Sequence, residues 1–498
     1  MQHSALASAT HSGRASATRS ALTSVTRSAR KIVNFGGNIC FQPRHRYTPR
    51  SEDEVLRILN EHRDGTIRAV GARHSWNPGI ETRDALVDLR HLRAIRVHDD
   101  RARVTVGAGC RIGALLRHLA RHGLTLPSIG LIDRQTVAGA VATGTHGSGR
   151  NSMSHYVEAM RIACYGKDGL PVVRTVDSGA ALRVGRCSVG AMGIVLEVTL
   201  QCVPQYYVRE RCVWRDGLDD VLRREAAAPL QQFYILPGAW TYLAHERTVA
   251  ADNRRSGGAA LYRVYWFLVI DVGLHLCIRL AASRRSSRRL VSTLYRRILP
   301  AWLFPRWRVT DRSDRQLLMR HDLFRHLEME VFVPRACLRV ALGFVIEVLQ
   351  SADDAAHVPS SEVRESIETV GEWETFSRIR GTWSHHYPIC VRRLRPGDTL
   401  ISMASCHRME EQDWYAISLI TFTEPRTDFE AVARLLAVVM AARFGARLHW
   451  GKWFPLDGSQ VEDGYPGLGE FRAICGECDP DGVFRNGFVK GALFGSEG

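Results

Sequence analysis

The chain contains no G-x-G-x-x-G run at a strand–helix junction. A Rossmann-type nucleotide site needs its glycines where a strand feeds a helix, so that site is not indicated. Twelve cysteines fall at irregular intervals through 498 residues. They read as scattered, reduced thiols, which argues against a zinc framework and against a secreted disulfide scaffold, and no metal ligand set is expected. Nor is there an apolar run of membrane-spanning length without charges. The longest candidate, residues 261–282, is broken by Arg263, Asp271, His275 and Arg279. A central Asp or Arg costs about 2.5–3.5 kcal/mol on insertion scales, so a buried or amphipathic helix is the better expectation.

Acidic residues are scarce in two places. Residues 1–34 hold five Lys/Arg and no acid, and residues 261–310 hold ten Arg against Asp271 alone. These segments contribute +5 and +9, hence +14 of the net +16. Such local charge marks a tail and a patch rather than a general polyanion-binding surface, so no nucleic-acid partner is expected. The tail is rich in Ser, Thr, Ala and Arg without apolar periodicity, which predicts disorder over 1–34. It has the composition of an organelle transit peptide and lacks the apolar centre of a secretory signal; an over-long start would read the same.

With 45% apolar residues, the chain can build two or three cores. From Ile32 onward it reads as alternating short strands and helices. Residues 66–72 and 103–109 are strand-like and close on glycine or a small residue next to it. Ile112, Leu115, Leu116 and Leu119 share one helical face, with Gly123 as the stop. Residues 157–173 form a hairpin signal turning at Asp168-Gly169, and residues 193–204 a strand ending at Pro204.

Two stretches carry chemistry. "RAVGARHSW" (68–76) sets Gly71 and the pair His74-Ser75 at a strand end, and "VAGAVATGTHGSGR" (137–150) carries Gly139, Gly144, Gly147 and Gly149 among small residues. Backbone N–H groups in such runs can approach an anion closely, because no side chain stands in the way. Two such loops suggest one dinucleotide pyrophosphate gripped from two sides.

These two stretches and "SVGAMGIVLEVTLQCVP" (188–204) resemble the three FAD-contacting segments of the vanillyl-alcohol-oxidase type (PCMH-type) flavoproteins. "LHWGKWFP" (448–455) and "DPDGVFRNGF" (479–488) resemble the aldonolactone oxidase branch, which includes the D-arabinono-1,4-lactone, L-gulono-1,4-lactone and alditol oxidases. The resemblance runs in order from about Asn34 to the end. It implies an α+β fold with a two-subdomain FAD-binding domain over 35–205 and an α+β cap, or substrate, domain over 206–447. The cap carries the basic apolar insertion 261–310, and residues 448–498 return to the flavin.

The same resemblance implies FAD contacts from Val70, Gly71, Ala72, Arg73, His74, Ser75, Gly130, Asp133, Thr136, Gly139, Thr143, Gly144, Thr145, His146, Gly147, Gly193 and Ile194. His74 matches a histidine commonly bonded to the flavin 8α-methyl group, although Arg73 replaces the usual small residue before it. Gly130 matches a small residue beside the reactive face and favours dioxygen as acceptor. Lys452 and Arg392 match the residues that act on the reacting hydroxyl; Cys390 stands where the family has a glutamate two residues before that arginine, and His449 adjoins them.

The expected function is therefore oxidation of a hydroxyl on an aldonolactone or alditol by hydride transfer to FAD, with dioxygen reduced to hydrogen peroxide. The loss of the glutamate and the basic cap also suit a lipid-linked sugar at a membrane surface. A non-catalytic membrane or nucleic-acid binding protein on the same scaffold is the alternative outside enzymes. The expected location is the cytoplasm. The arginines over 284–297, with Trp302, Phe304 and Trp307, either form a solvated surface or touch anionic lipid.

Overall fold

The computed structural model describes residues 25–27, 31–282, 287–303, 307–319, 323–406, 412–422, 424 and 426–495. Arg284, Arg285, Phe304 and most of the basic tail lie outside these. The tail enters the fold earlier than its composition predicts. Val25–Arg27 pairs antiparallel with His45–Tyr47, and Ile32–Val33 with Cys40–Phe41. Backbone pairing depends little on side-chain polarity, which is why a Ser/Thr/Arg-rich run concealed a strand.

The first half of the architecture holds two larger sheets beside two short two-stranded pairings. One has four strands in the order Val25–Arg27, His45–Tyr47, Ala85–Asp88, Ile67–Val70, with its last two pairings parallel. The other is antiparallel and runs Pro171–Val176, Val157–Tyr165, Ile194–Gln201, Arg103–Gly107, Ile95–Val97. The 157–173 hairpin closes as the sequence predicts, with Tyr165 opposite Pro171 and Gly169 at φ +70°. Helix Ile112–Arg121 buries Ile112, Leu115, Leu116 and Leu119 and gives way to Gly123 at φ +67°. Helix Glu52–Glu61 begins where the Ser51 side chain accepts the Glu54 N–H, with three acids in its first turn. Both features complement the unpaired donors and positive dipole of a helix start.

The second half is one eight-stranded sheet. Its order is Arg308–Arg312, Tyr207–Arg215, Thr241–Val249, Gln232–Leu236, Ile389–Leu394, Trp414–Thr421, Leu327–Pro334, Arg447–Leu448. Alternate residues share a face. Met329, Val331, Val391, Ile417 and Leu419 are buried in the same apolar core as helices Leu338–Asp353 and Thr427–Phe444. The other set (Glu328, Glu330, Cys390, Arg392, Ser418) is polar and also buried.

An insertion between Thr241–Val249 and Arg308–Arg312 is helical. Ala259–Trp266, π-helical Phe267–Leu274 and His275–Ala282 run on as one helix, and Ser287–Thr293, Leu294–Ile298 and Leu299–Trp302 as a second. The reading of the thiols as scattered misses one local pair: Cys475 and Cys478 on helix Leu468–Cys478 have C-x-x-C spacing, and both are buried and free.

Candidate active site

Four chain segments wall one cleft of about 1100 Å3 including its mouth: residues 68–77, 132–143, 189–195 and 449–452. The glycines there answer to backbone proximity. A Cβ on Gly71 would lie 2.0 Å from Thr136 Oγ1, and one on Gly139 would lie 3.0 Å from the same atom. The two loops singled out in the sequence thus close on one threonine. Gly193 sits at φ +134° and backs onto the Ala163 carbonyl, where a Cβ would approach within 2.5 Å.

Arg73 adopts φ +60°. A left-handed backbone there disfavours any side chain with a Cβ, which accounts for a small residue being the usual occupant of this turn. Beyond it, His74 is largely buried and stacks on Phe35, ring centroids 4.8 Å apart. Among the described residues its Nδ1 has no hydrogen-bond partner. Burial, followed by the nearby Arg111 and Lys452 charges, lowers its pKa to about 4, so the ring is neutral and nucleophilic at physiological pH. An unpartnered buried nitrogen on the cleft wall, beside loops where side chains are excluded, fits a dinucleotide with a ring system at the His74 end.

Of the FAD contacts implied by resemblance, Val70, Gly71, Ala72, Arg73, His74, Ser75, Thr136, Gly139, Thr143 and Gly193 line the cleft. Gly130, Asp133, Gly144, Thr145, His146, Gly147 and Ile194 do not line it, and Gly147 lines a separate small pocket with Ile129 and Ser148. Gly130 is closely packed, since a Cβ would meet Thr145 Cγ2 at 2.6 Å. Gly147 similarly abuts the Ile129 carbonyl at 2.5 Å.

At the far end, Lys452 and His449 reach the wall. Lys452 lies over the Trp76 ring, 4.5 Å from its centroid, and forms an ion pair with buried Glu328. Arg392 is buried behind the wall, donates to the His146 carbonyl at 3.2 Å, and pairs with Glu330. Burial alone would push both carboxyls up. Lys452 beside Glu328 and Arg392 beside Glu330 outweigh it and hold both well below the usual range. Cys390 lies in the same row of the sheet as Tyr234, Ser418 and Glu330, two strands from the latter. Burial pushes its thiol up to about 11, so it is neutral. The carboxylate partner of Arg392 therefore comes from Glu330 across the sheet rather than from position 390.

Glu328 and Glu330 are the site residues that sequence reasoning misses. Their E-x-E alternation on Leu327–Pro334 looks like a solvent-facing strand edge; the signal against this is that the intervening residues are equally apolar on a strand flanked by Pro334. His449 Nδ1 accepts the Gly451 N–H at 2.9 Å, so a neutral ring carries its proton on Nε2 and presents a donor. Burial lowers its pKa to about 3. His146 Nδ1 lies 2.9 Å from the Gly147 carbonyl and donates to it; its Nε2 is 3.5 Å from Glu330. Among the described residues, His146, Glu330 and His449 are the group whose ligand atoms come within 4.8 Å of one another. The Arg392 guanidinium against Glu330 supplies the positive charge there.

Residues 43–169 match the model of an FAD binding domain, and residues 198–491 that of D-arabinono-1,4-lactone oxidase. A "Long-chain alcohol oxidase" from an uncultured marine euryarchaeote is 45% identical over 92% of this chain and 96% of that protein. L-gulonolactone oxidase of Mus musculus is 24% identical over 91% and 96%. An alditol oxidase of a Streptomyces species is 26% identical over 93% and 99%. Cholesterol oxidase from B. sterolicum superposes with a TM-score of 0.72 at 17% identity, covering 94% of this chain and 97% of that one, which speaks for the fold.

Proposed function

The chain belongs to the D-arabinono-1,4-lactone oxidase family of FAD-dependent oxidases acting on CH–OH groups, and from that premise we propose that its substrate is an alcohol with an apolar tail. The observation that carries this reading is the shortage of free acceptors beside Lys452 and Arg392. Cys390 stands where the resemblance places a glutamate, and its thiol is neutral, while Phe422, Tyr387 and Phe324 cluster around His275 on the cap side with ring centroids 5.0–5.5 Å away. Both buried carboxylates are consumed by Lys452 and Arg392, leaving little to hold several sugar hydroxyls. The 45% relative named for long-chain alcohols supports the same choice.

Bound FAD supplies the acceptor for the hydrogen and electron pair leaving the substrate carbon, with dioxygen as the proposed final acceptor. The protein's part is to hold the alcohol. Lys452 and the His449 Nε2–H are donors at the wall for the substrate oxygen, and donors placed before the reaction stabilise charge as it develops. His146 does not line the cleft and packs against the His449 ring, so the hydroxyl proton is released to water at the cleft mouth. His74 is the position for a covalent flavin bond.

A sugar-derived substrate is the second reading, favoured by the family model and by Lys452 in "HWGK". Peroxide release from FAD-loaded protein, offered 1-dodecanol or an aldonolactone, separates the two. Oxidation of the lactone alone would overturn the alcohol assignment.

A further inference from the structure

Among the described residues, twelve Leu, Val or Ile side chains are exposed, and seven of them belong to the helical insertion: Leu261, Val264, Leu268, Leu276, Leu280, Leu290 and Ile298. Scattered apolar side chains are ordinary on a protein surface, whereas a contiguous group marks a contact. The first three are spaced three and four apart, the next two four apart, so they form a stripe along one side of the first helix. That helix, Ala259–Ala281, is long and apolar enough to cross a membrane by length and composition, and 28% of its most apolar stretch is buried.

Of the four groups that break the run in the sequence, Arg279 is exposed and lies over the Phe324 ring, and the other three turn away from the stripe. Asp271 and His275 are buried, and Arg263 pairs with Asp311. The inner face packs Leu274, Ile278 and Ala281 against Leu294, Tyr295 and Leu236. A helix fixed to its own domain along one side cannot span a bilayer, yet its outer side is apolar. Such a helix lies along a membrane surface, sunk about 5–10 Å into the headgroup boundary.

The second helix supplies the charge. Arg289, Leu290, Arg296 and Arg297 are exposed on it. Arg288 is tied to Asp353 and Asp354. The only acid between 261 and 310, Asp271, is buried, so no negative side chain of this segment faces outward beside the stripe. We propose that the outer face of the 259–302 helical hairpin docks on an anionic lipid bilayer, the stripe entering the interface and Arg289 and Arg297 meeting lipid phosphates, while Arg296 donates to the Gly238 carbonyl. The same hairpin leads inward to the site: His275 contacts Phe422, Phe422 contacts His326, His326 contacts Phe35, and Phe35 stacks on His74, at centroid distances of 4.8–5.3 Å. Docking would thus place this chain of aromatic contacts, which ends at His74 on the cleft wall, next to the phase in which a long-chain alcohol dissolves. The docking surface itself does not rest on that substrate.

Flotation of the FAD-loaded full-length protein with vesicles tests it without any substrate. One set is phosphatidylcholine alone, the other phosphatidylcholine with an equal amount of phosphatidylglycerol. Wild type is expected to float with the anionic set. Arg289→Glu/Arg297→Glu should weaken binding by roughly a thousandfold, since each basic residue near an anionic surface contributes about 1 kcal/mol and reversal doubles the loss. Leu261→Gln/Leu268→Gln/Leu276→Gln should abolish the fraction that survives high salt. Both variants change outward side chains, so flavin content and melting temperature should stay at wild-type values. Wild-type protein that stays at the bottom at low salt overturns the proposal. So does light scattering that shows a wild-type dimer and a monomeric leucine variant, because the stripe would then be an interface between copies.

Discussion

Replacing Lys452 by Met leaves Glu328 buried at 4% side-chain exposure with its strongest cationic neighbour gone. Lys452 itself is 13% exposed, so solvent screens the pair little. Breaking a buried ion pair by removing one partner typically costs about 3–5 kcal/mol, most of it the price of the orphaned charge. Ser418 Oγ still donates to Glu328 at 2.5 Å, which places the expectation for Lys452→Met near the lower end, about 3 kcal/mol. Removing the charge as well, in Lys452→Met/Glu328→Gln, should return most of this, so the two losses are strongly non-additive. Denaturant unfolding of the four proteins gives the coupling energy. In parallel, anaerobic reduction of the bound flavin by substrate should slow by about a hundred- to a thousandfold in both variants lacking Lys452, the usual effect of losing one preorganised donor. A Lys452→Met protein as stable as wild type, or one that reduces at the wild-type rate, would refute the paired and oxygen-facing position of this lysine.

His74→Ala should abolish any flavin that remains in the pellet after acid precipitation while leaving some bound flavin in the native protein, as read from the visible spectrum; retained acid-stable flavin would move the bond elsewhere. Arg73→Gly should raise stability by about 1 kcal/mol, because glycine occupies a left-handed backbone without strain, and denaturant midpoints read the gain. Acid should destabilise the fold between pH 6.5 and 4. Burial lowers His275 and His386 to about 4 and His449 to about 3. Their unfolded forms bind protons near 6.5 while the folded forms do not, so each withdraws up to about 2 kcal/mol by pH 5. Asp479, raised by burial to about 6, works the other way, gaining about 1.4 kcal/mol over the same interval. Melting temperatures at pH 7 and pH 5 should show the net fall; no change would refute the neutral buried histidines.

The cofactor end was legible because its constraints are local. Gly71, Gly139 and Gly193 sit where a Cβ would crowd Thr136 or the Ala163 carbonyl, and His74 follows Gly71 within a few residues. The substrate end was not. Glu328 and Glu330 become buried anions through cations 62 and 124 residues away, a distance over which alternation on one strand carries no information. Cys390 looked like a lost function when read alone, yet the sheet brings Glu330 to Arg392. The helical insertion was half legible: the breaks at Asp271 and His275 argue against a span, but only packing shows that they share an inward face and leave the leucines outside. Val25–Arg27 was missed because strand pairing there draws on backbone alone.

The alcohol assignment is tested most directly by kcat/KM over a series of primary alcohols of increasing chain length, set against aldonolactones and alditols. Each methylene buried in an apolar pocket contributes about 0.8 kcal/mol, or roughly fourfold. The expected result is kcat/KM rising about fourfold per methylene until the pocket is filled, with sugar lactones far below. A flat series, or a lactone that outperforms every alcohol, would contradict it.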